Sequence, residues 1–132
     1  MEKALNGDIT HKTLMIKGRL DNLNDYTKAN RTDPRVGNRM KKMKEDYITS
    51  FILEQLRGIQ FEGKVYLHFR WIEPNRQRDL DNVCFAKKFI LDAMVKAGKL
   101  KDDNRRFVTA FTDTFSYGDT TKVILTIEEM EE

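Results

Sequence analysis

The chain has 132 residues, 39% of them hydrophobic and 34% charged, with a formal net charge of +3. That size and balance fit one globular domain over residues 1–132 and exclude a disordered or fibrous chain. No apolar run approaches the ~20 residues of a membrane span, no signal-peptide core follows Met1-Glu2-Lys3-Ala4, and the lone Cys84 excludes an internal disulfide or a cysteine metal site, so the expectation is a cytoplasmic protein without a membrane partner.

Leu14-Met15-Ile16, ended by Gly18, predicts a first strand at about 13–20. The polar stretch from Asp21 to Asp33 reads as a loop. Pro34 can open a helix with Asp33 as its cap, and Met40, Met43, Tyr47, Phe51 and Leu53 to Leu56 continue it at helical spacing up to Gly58. Val65, Leu67, Phe69 and Trp71 alternate with Tyr66, His68 and Arg70, the period of a strand, and Pro74 ends it. Phe69 and Trp71 are expected in the core rather than as base-stacking platforms. From Asn82 to Ala97 the period is helical again: Val83, Ala86, Ile90, Ala93, Met94 and Ala97 share a face, and Gly98 is a natural stop. Phe107 to Ile127, with Gly118 between two alternating runs, predicts a β-hairpin. The expected fold class is α+β: one two-layer domain, a mixed sheet of roughly four strands carrying two main helices.

Charge is unevenly placed. Arg35, Arg39, Lys41, Lys42 and Lys44 precede the first acid of their helix, Glu45, while the C-terminus is acidic. Arg76-Gln77-Arg78-Asp79-Leu80-Asp81-Asn82 lies between a strand and a helix. In an extended segment Asp79 and Asp81 point to one side, and two such carboxylates repel unless a cation lies between them. Magnesium accepts one or two carboxylates together with water and phosphate. The plainer readings stand beside this one. Asp81 or Asn82 can cap the following helix, and Asp79 can pair with a neighbouring arginine. The second acidic pair, Asp102-Asp103, also fits a solvated turn, and Lys88 fits an exposed pair with Asp92 one helical turn on. No G-x-x-x-x-G-K-[ST] loop is present, so no nucleotide cofactor is expected.

Arg78-Asp79-Leu80-Asp81-Asn82, then a lysine-bearing helix ending in Asp92-Ala93-Met94-Val95-Lys96-Ala97-Gly98, then Leu100-Lys101-Asp102-Asp103, resemble the RusA family of Holliday junction resolvases. The segment Lys122 to Met130 is also similar to the family's last strand, and the loop Gly18 to Tyr26 resembles the N-terminal segment of phage-type members, so the resemblance spans most of the chain. It implies that Asp79, Asp81 and Asp103 are catalytic carboxylates holding Mg2+, with Mn2+ as a substitute. It implies a homodimer that nicks both symmetric strands of a four-way junction in recombination and repair, and that Arg78 helps to hold DNA. The family's lysine stands closer to the acidic motif than any lysine here, with about three residues inserted. Counting back from Asp103 places it at Lys88, with Lys87 as the alternative. Its role would be to stabilise charge at the scissile phosphate.

Arg76, Arg78, Arg35, Arg39, Lys41 and Lys42 are candidate phosphate contacts, the helix residues fitting a solvated basic face equally well. Asn24 is a further candidate on the resemblance alone. Competing readings are a non-catalytic DNA-binding protein, a protein-interaction module whose charges are surface charge, and a nuclease for other branched DNA.

Overall fold

The computed structural model describes residues 9–18, 20, 27–28 and 31–130. It is an α+β domain with four strands in one mixed sheet and two main helices. The elements are β1 (Ile9–Lys17), α1 (Pro34–Gln55), β2 (Lys64–Glu73), the single turn α2 (Leu80–Val83), a 3-10 turn (Cys84–Ala86), α3 (Lys87–Lys96), β3 (Val108–Tyr117) and β4 (Lys122–Met130). No helix among the described residues is long and apolar enough to cross a membrane.

The strand order is β1-β4-β2-β3. β4 runs antiparallel to both β1 and β2, whereas β3 runs parallel to β2. The expected terminal hairpin is therefore not there. The segment from α2 to α3 returns the chain to the starting end of β2, as a parallel pair requires, so β3 takes one side of β2. The short link after Tyr117 then steps over the end of β2, where Gly118 donates its N–H to the Glu73 carbonyl at 3.1 Å. A Cβ on Gly118 would stand 2.8 Å from Ile72 Cγ2, so any side chain here would force Ile72 to shift. β1 begins earlier than its apolar run suggests, because pairing with β4 extends it to Ile9.

The period-two pattern of β2 places Val65, Leu67, Phe69 and Trp71 on the buried face. They meet Leu14 and Ile16 of β1, Val123, Leu125 and Ile127 of β4, and the helix residues Ile48, Ile52, Phe89, Ile90, Ala93 and Met94 in one core. Phe69 and Trp71 are core residues as expected, their rings stacked at 5.5 Å. The α1 face differs from the expected one. Ile48, Ile52 and Glu45 are buried, while Met43, Tyr47 and Leu53 are exposed. Spacing cannot separate two apolar stripes on one helix, and only one of these meets the sheet.

Helix ends follow local chemistry. The Asp33 carboxylate accepts the Arg35 N–H at 2.9 Å, and Pro34 fills the first turn. After α3, Gly98 at φ +76° lets its N–H reach the Val95 carbonyl and that of Lys99 reach Met94, a Schellman closure. The buried Lys99 ammonium donates to the Leu56 carbonyl at 2.8 Å, joining that closure to the end of α1. On the outer edge, the Gln55 amide makes two 2.7 Å hydrogen bonds with the backbone of Met15 and so covers part of β1.

Candidate active site

β2 and β3 are parallel, and α2 begins just beyond the end of β2. The first candidate acids collect there. Asp79 is the N-cap of α2, with extended backbone (φ −65°, ψ 153°), but its side chain caps nothing. Asp81 lies inside the first turn of α2, so it is helical; the alternation expected for an extended segment does not govern this pair. Both residues are exposed, and no hydrogen bond or ion pair among the described residues holds either carboxylate. Neither Asp81 nor Asn82 takes the cap position.

Asp79 lines a cleft of about 260 Å³ with Glu73, Arg76, Arg78, Phe115 and Tyr117, and Trp71 closes its inner wall. Arg76 is exposed and outside any ion pair among the described residues; its guanidinium lies 5.3 Å from the centre of the Tyr117 ring. Arg78 is half-buried and spoken for: it pairs with Glu73 at 2.8 Å and donates to the Leu20 carbonyl at 3.4 Å. It braces the loop before Asp79 against β2.

The two lysines of the second helix face different ways. Lys87 turns towards β3. Its ammonium meets Asp113 at 2.5 Å and stands 3.8 Å from the centre of the Phe111 ring, while Trp71 donates its indole N–H to the other Asp113 oxygen at 2.8 Å. Cys84, free and half-buried, reports the field at this place. Burial pushes its thiol up, the carboxylate of Asp113 adds to that, Lys87 opposes it, and Asp81 adds a smaller push. The Cys84 thiol itself lies 3.9 Å from the Asp81 carbonyl oxygen.

Lys88 points away from them. It pairs with Asp92 at 3.3 Å and lies 3.8 Å from Asp103. The Asp92 carboxylate holds its ammonium above the usual lysine value, and Asp103 contributes further. The pair with Asp92 is the plainer of its expected roles. Asp103, half-buried, lines a separate recess with Lys41, Glu45, Lys88, Asp92 and Lys96. There the buried Glu45 takes an ion pair from Lys96 and one from Lys41 at 3.8 Å, and Lys41 reaches Asp92 at 3.5 Å. Glu45 raises Lys96 above its usual value. The structure brings Asp79 and Asp81 to one end of α2 and leaves Asp103 in this network. Among the described residues no three His, Cys, Asp or Glu side chains converge as metal ligands.

The remaining basic candidates divide in the same manner. Arg35 closes on Asp33 at 3.2 Å and Lys42 on Asp46 at 3.4 Å. Lys41 belongs to the recess. Arg39 is exposed and outside any ion pair among the described residues. Asn24 lies outside the described residues. Asp113 was missed in the sequence. It sits mid-strand between Thr112 and Thr114 with no acidic neighbour in the chain, and only the pairing of β3 beside β2 brings Trp71 and Lys87 to it.

In donor chemistry, Asp79 and Asp81 fit a hard divalent cation, which takes one or two carboxylates and leaves its other positions to water and phosphate oxygens. The chain matches no family model and no curated protein.

Proposed function

We propose that the chain is a metal-dependent endodeoxyribonuclease that cuts branched DNA, with the four-way junction as its substrate and a homodimer as its working form. The observation that carries this reading is the pair Asp79 and Asp81 at the start of α2, without partners among the described residues, with Asp79 lining a cleft that also presents Arg76. Two unpaired carboxylates next to phosphate would only repel DNA, and a bound cation reverses that sign. The resemblance of Arg78-Asp79-Leu80-Asp81-Asn82 to the RusA family supports the choice of substrate.

The side chains divide the work. Asp79 and Asp81 hold the cation; bound there, it would polarise the phosphate and lower the pKa of a coordinated water. Lys87, at the start of the helix that follows the acidic motif, offers the positive charge that a phosphoryl oxygen gains from in the transition state, and Asp113 fixes where that ammonium stands. Arg76 meets a flanking phosphate. Arg78 keeps the loop in place through Glu73. Asp103 stands beside Lys88 in the other recess, so the reading rests on Asp79 and Asp81.

The test is cleavage of a synthetic four-way junction beside a linear duplex of the same sequence, with and without magnesium, for the wild type and Asp81→Asn. Paired magnesium-dependent nicks on the junction alone, lost in the variant while junction binding persists, are the expected result. Normal cutting by Asp81→Asn would remove the acid pair from the mechanism. Binding with no cutting would favour a DNA-binding protein without catalysis.

A further inference from the structure

Among the described residues β3 is an edge strand, paired only with β2. Exposed edges are commonly blunted with charge or proline. This one presents aromatic rings instead: Phe111 is 49% exposed, Phe115 36% and Tyr117 58%. Their partners across the parallel ladder are Leu67, Trp71 and Glu73, which places the rings on the face that carries the helices and beside the cleft of Asp79. Thr112, Thr114 and Ser116 alternate onto the opposite face.

Positive charge accompanies the rings. Arg76 lies over Tyr117 and Lys87 over Phe111. Arg105 and Arg106, both exposed, come just before the strand. The one carboxylate within the row, Asp113, is offset by Lys87 and by the Trp71 N–H. A purely apolar row would suit another protein surface. Rings interleaved with cations suit a nucleic-acid strand whose bases are free to stack and whose phosphates need counter-charge. Phe115 and Tyr117, two residues apart, are separated along the strand by about 6.7 Å, twice the ~3.4 Å rise per base of a stacked strand.

We propose that Phe111, Phe115 and Tyr117 form a stacking surface for unpaired nucleotides of a DNA strand. The inference rests on the nuclease reading of the adjacent cleft and narrows its substrate to DNA with unstacked bases next to the phosphate that is cut. Regular duplex, whose bases are already stacked, gains nothing from the row.

Binding is measured in EDTA, so that cutting does not intervene, with a single-stranded oligonucleotide containing 2-aminopurine and with a duplex of the same sequence. The proteins are the full chain, Phe115→Leu, Tyr117→Leu and Phe115→Tyr, each checked for an unchanged thermal melt. Each leucine variant should bind the single strand about tenfold more weakly than the wild type, within the range for loss of one stacking ring, and the duplex equally well. Phe115→Tyr should retain the wild-type affinity and fluorescence change. Equal single-strand affinity for the wild type and both leucine variants overturns the inference, as does a wild type that does not bind the single strand. Leucine variants that alter only the sedimentation of the protein overturn it too, and reassign the row to contact between copies of the chain. The nuclease reading stands or falls separately, on magnesium-dependent cutting of the four-way junction by the wild type.

Discussion

Lys87 and Asp113 meet at 2.5 Å and tie the start of α3 to the edge strand β3. Both side chains are mostly buried, and the second Asp113 oxygen is taken by Trp71. Removing one partner leaves the other charge without its counter-charge in a poorly solvated place. Lys87→Met and Asp113→Leu should each destabilise the fold by about 1–3 kcal/mol. The double variant should cost less than the sum, because the charge stranded by each single change is gone. Urea unfolding of the four proteins measures the coupling; strict additivity would mean that the bridge contributes nothing.

Asp79 and Asp81 should behave in the opposite way. Neither side chain has a partner to lose among the described residues, and both are exposed. Asp79→Asn and Asp81→Asn should therefore leave stability within about 0.5 kcal/mol of the wild type or raise it, as surface changes without lost contacts do. Thermal melts in EDTA check this. A large loss of stability would assign the pair a structural role.

The two arginines of the acidic motif should separate in their effects. Arg76 is outside any ion pair among the described residues, so Arg76→Ala should weaken DNA binding and reduce the slope of log affinity against log salt by about 1. Arg78 is bound to Glu73 and to the Leu20 carbonyl. Arg78→Ala should lower the melting temperature, an effect Arg76→Ala does not share. A salt titration and a melt of each variant decide between the assignments.

The Asp33 carboxyl titrates below its usual range, first because the Arg35 backbone N–H donates to it and next because the Arg35 guanidinium does. A carboxyl lowered in the folded state stabilises the fold above its ordinary pKa and loses that contribution as pH falls through the lowered value. Asp33→Asn keeps an N-cap acceptor and removes the titration. The melting temperatures of the wild type and Asp33→Asn should differ most at neutral pH and converge in acid below the lowered pKa. A difference that stayed constant with pH would show that the cap acts without its charge.

Much of the layering was legible in the sequence. The alternation of Val65, Leu67, Phe69 and Trp71 names a half-buried strand, and Asp33-Pro34 and Gly98 mark helix ends through chemistry confined to a few neighbouring residues. Partner choice was not legible. Phe107 to Ile127 contains two alternating runs around Gly118, and a hairpin satisfies that pattern as well as the crossing over β2 does. The same limit applies to the site. Asp79 and Asp81 are two residues apart, so their proximity needs no tertiary information. Whether Asp103 joins them, and whether Lys87 or Lys88 faces them, depends on the turn of α3 and on the 3-10 turn before it, and neither is set by spacing alone. Asp113 depends on strand pairing and had no local signal.

The position of β4 between β1 and β2 governs when the domain can assemble. Among the described residues β1 pairs with β4 alone, so it joins the sheet once residues 122–130 are in place. The unit from β2 through β3, which contains Asp79, Asp81, Lys87 and Asp113, is contiguous in the chain and can pair beforehand. On a ribosome, the turn that carries Asp79 and Asp81 and the Lys87–Asp113 bridge would take shape first, and β4 would lock them against the rest of the molecule.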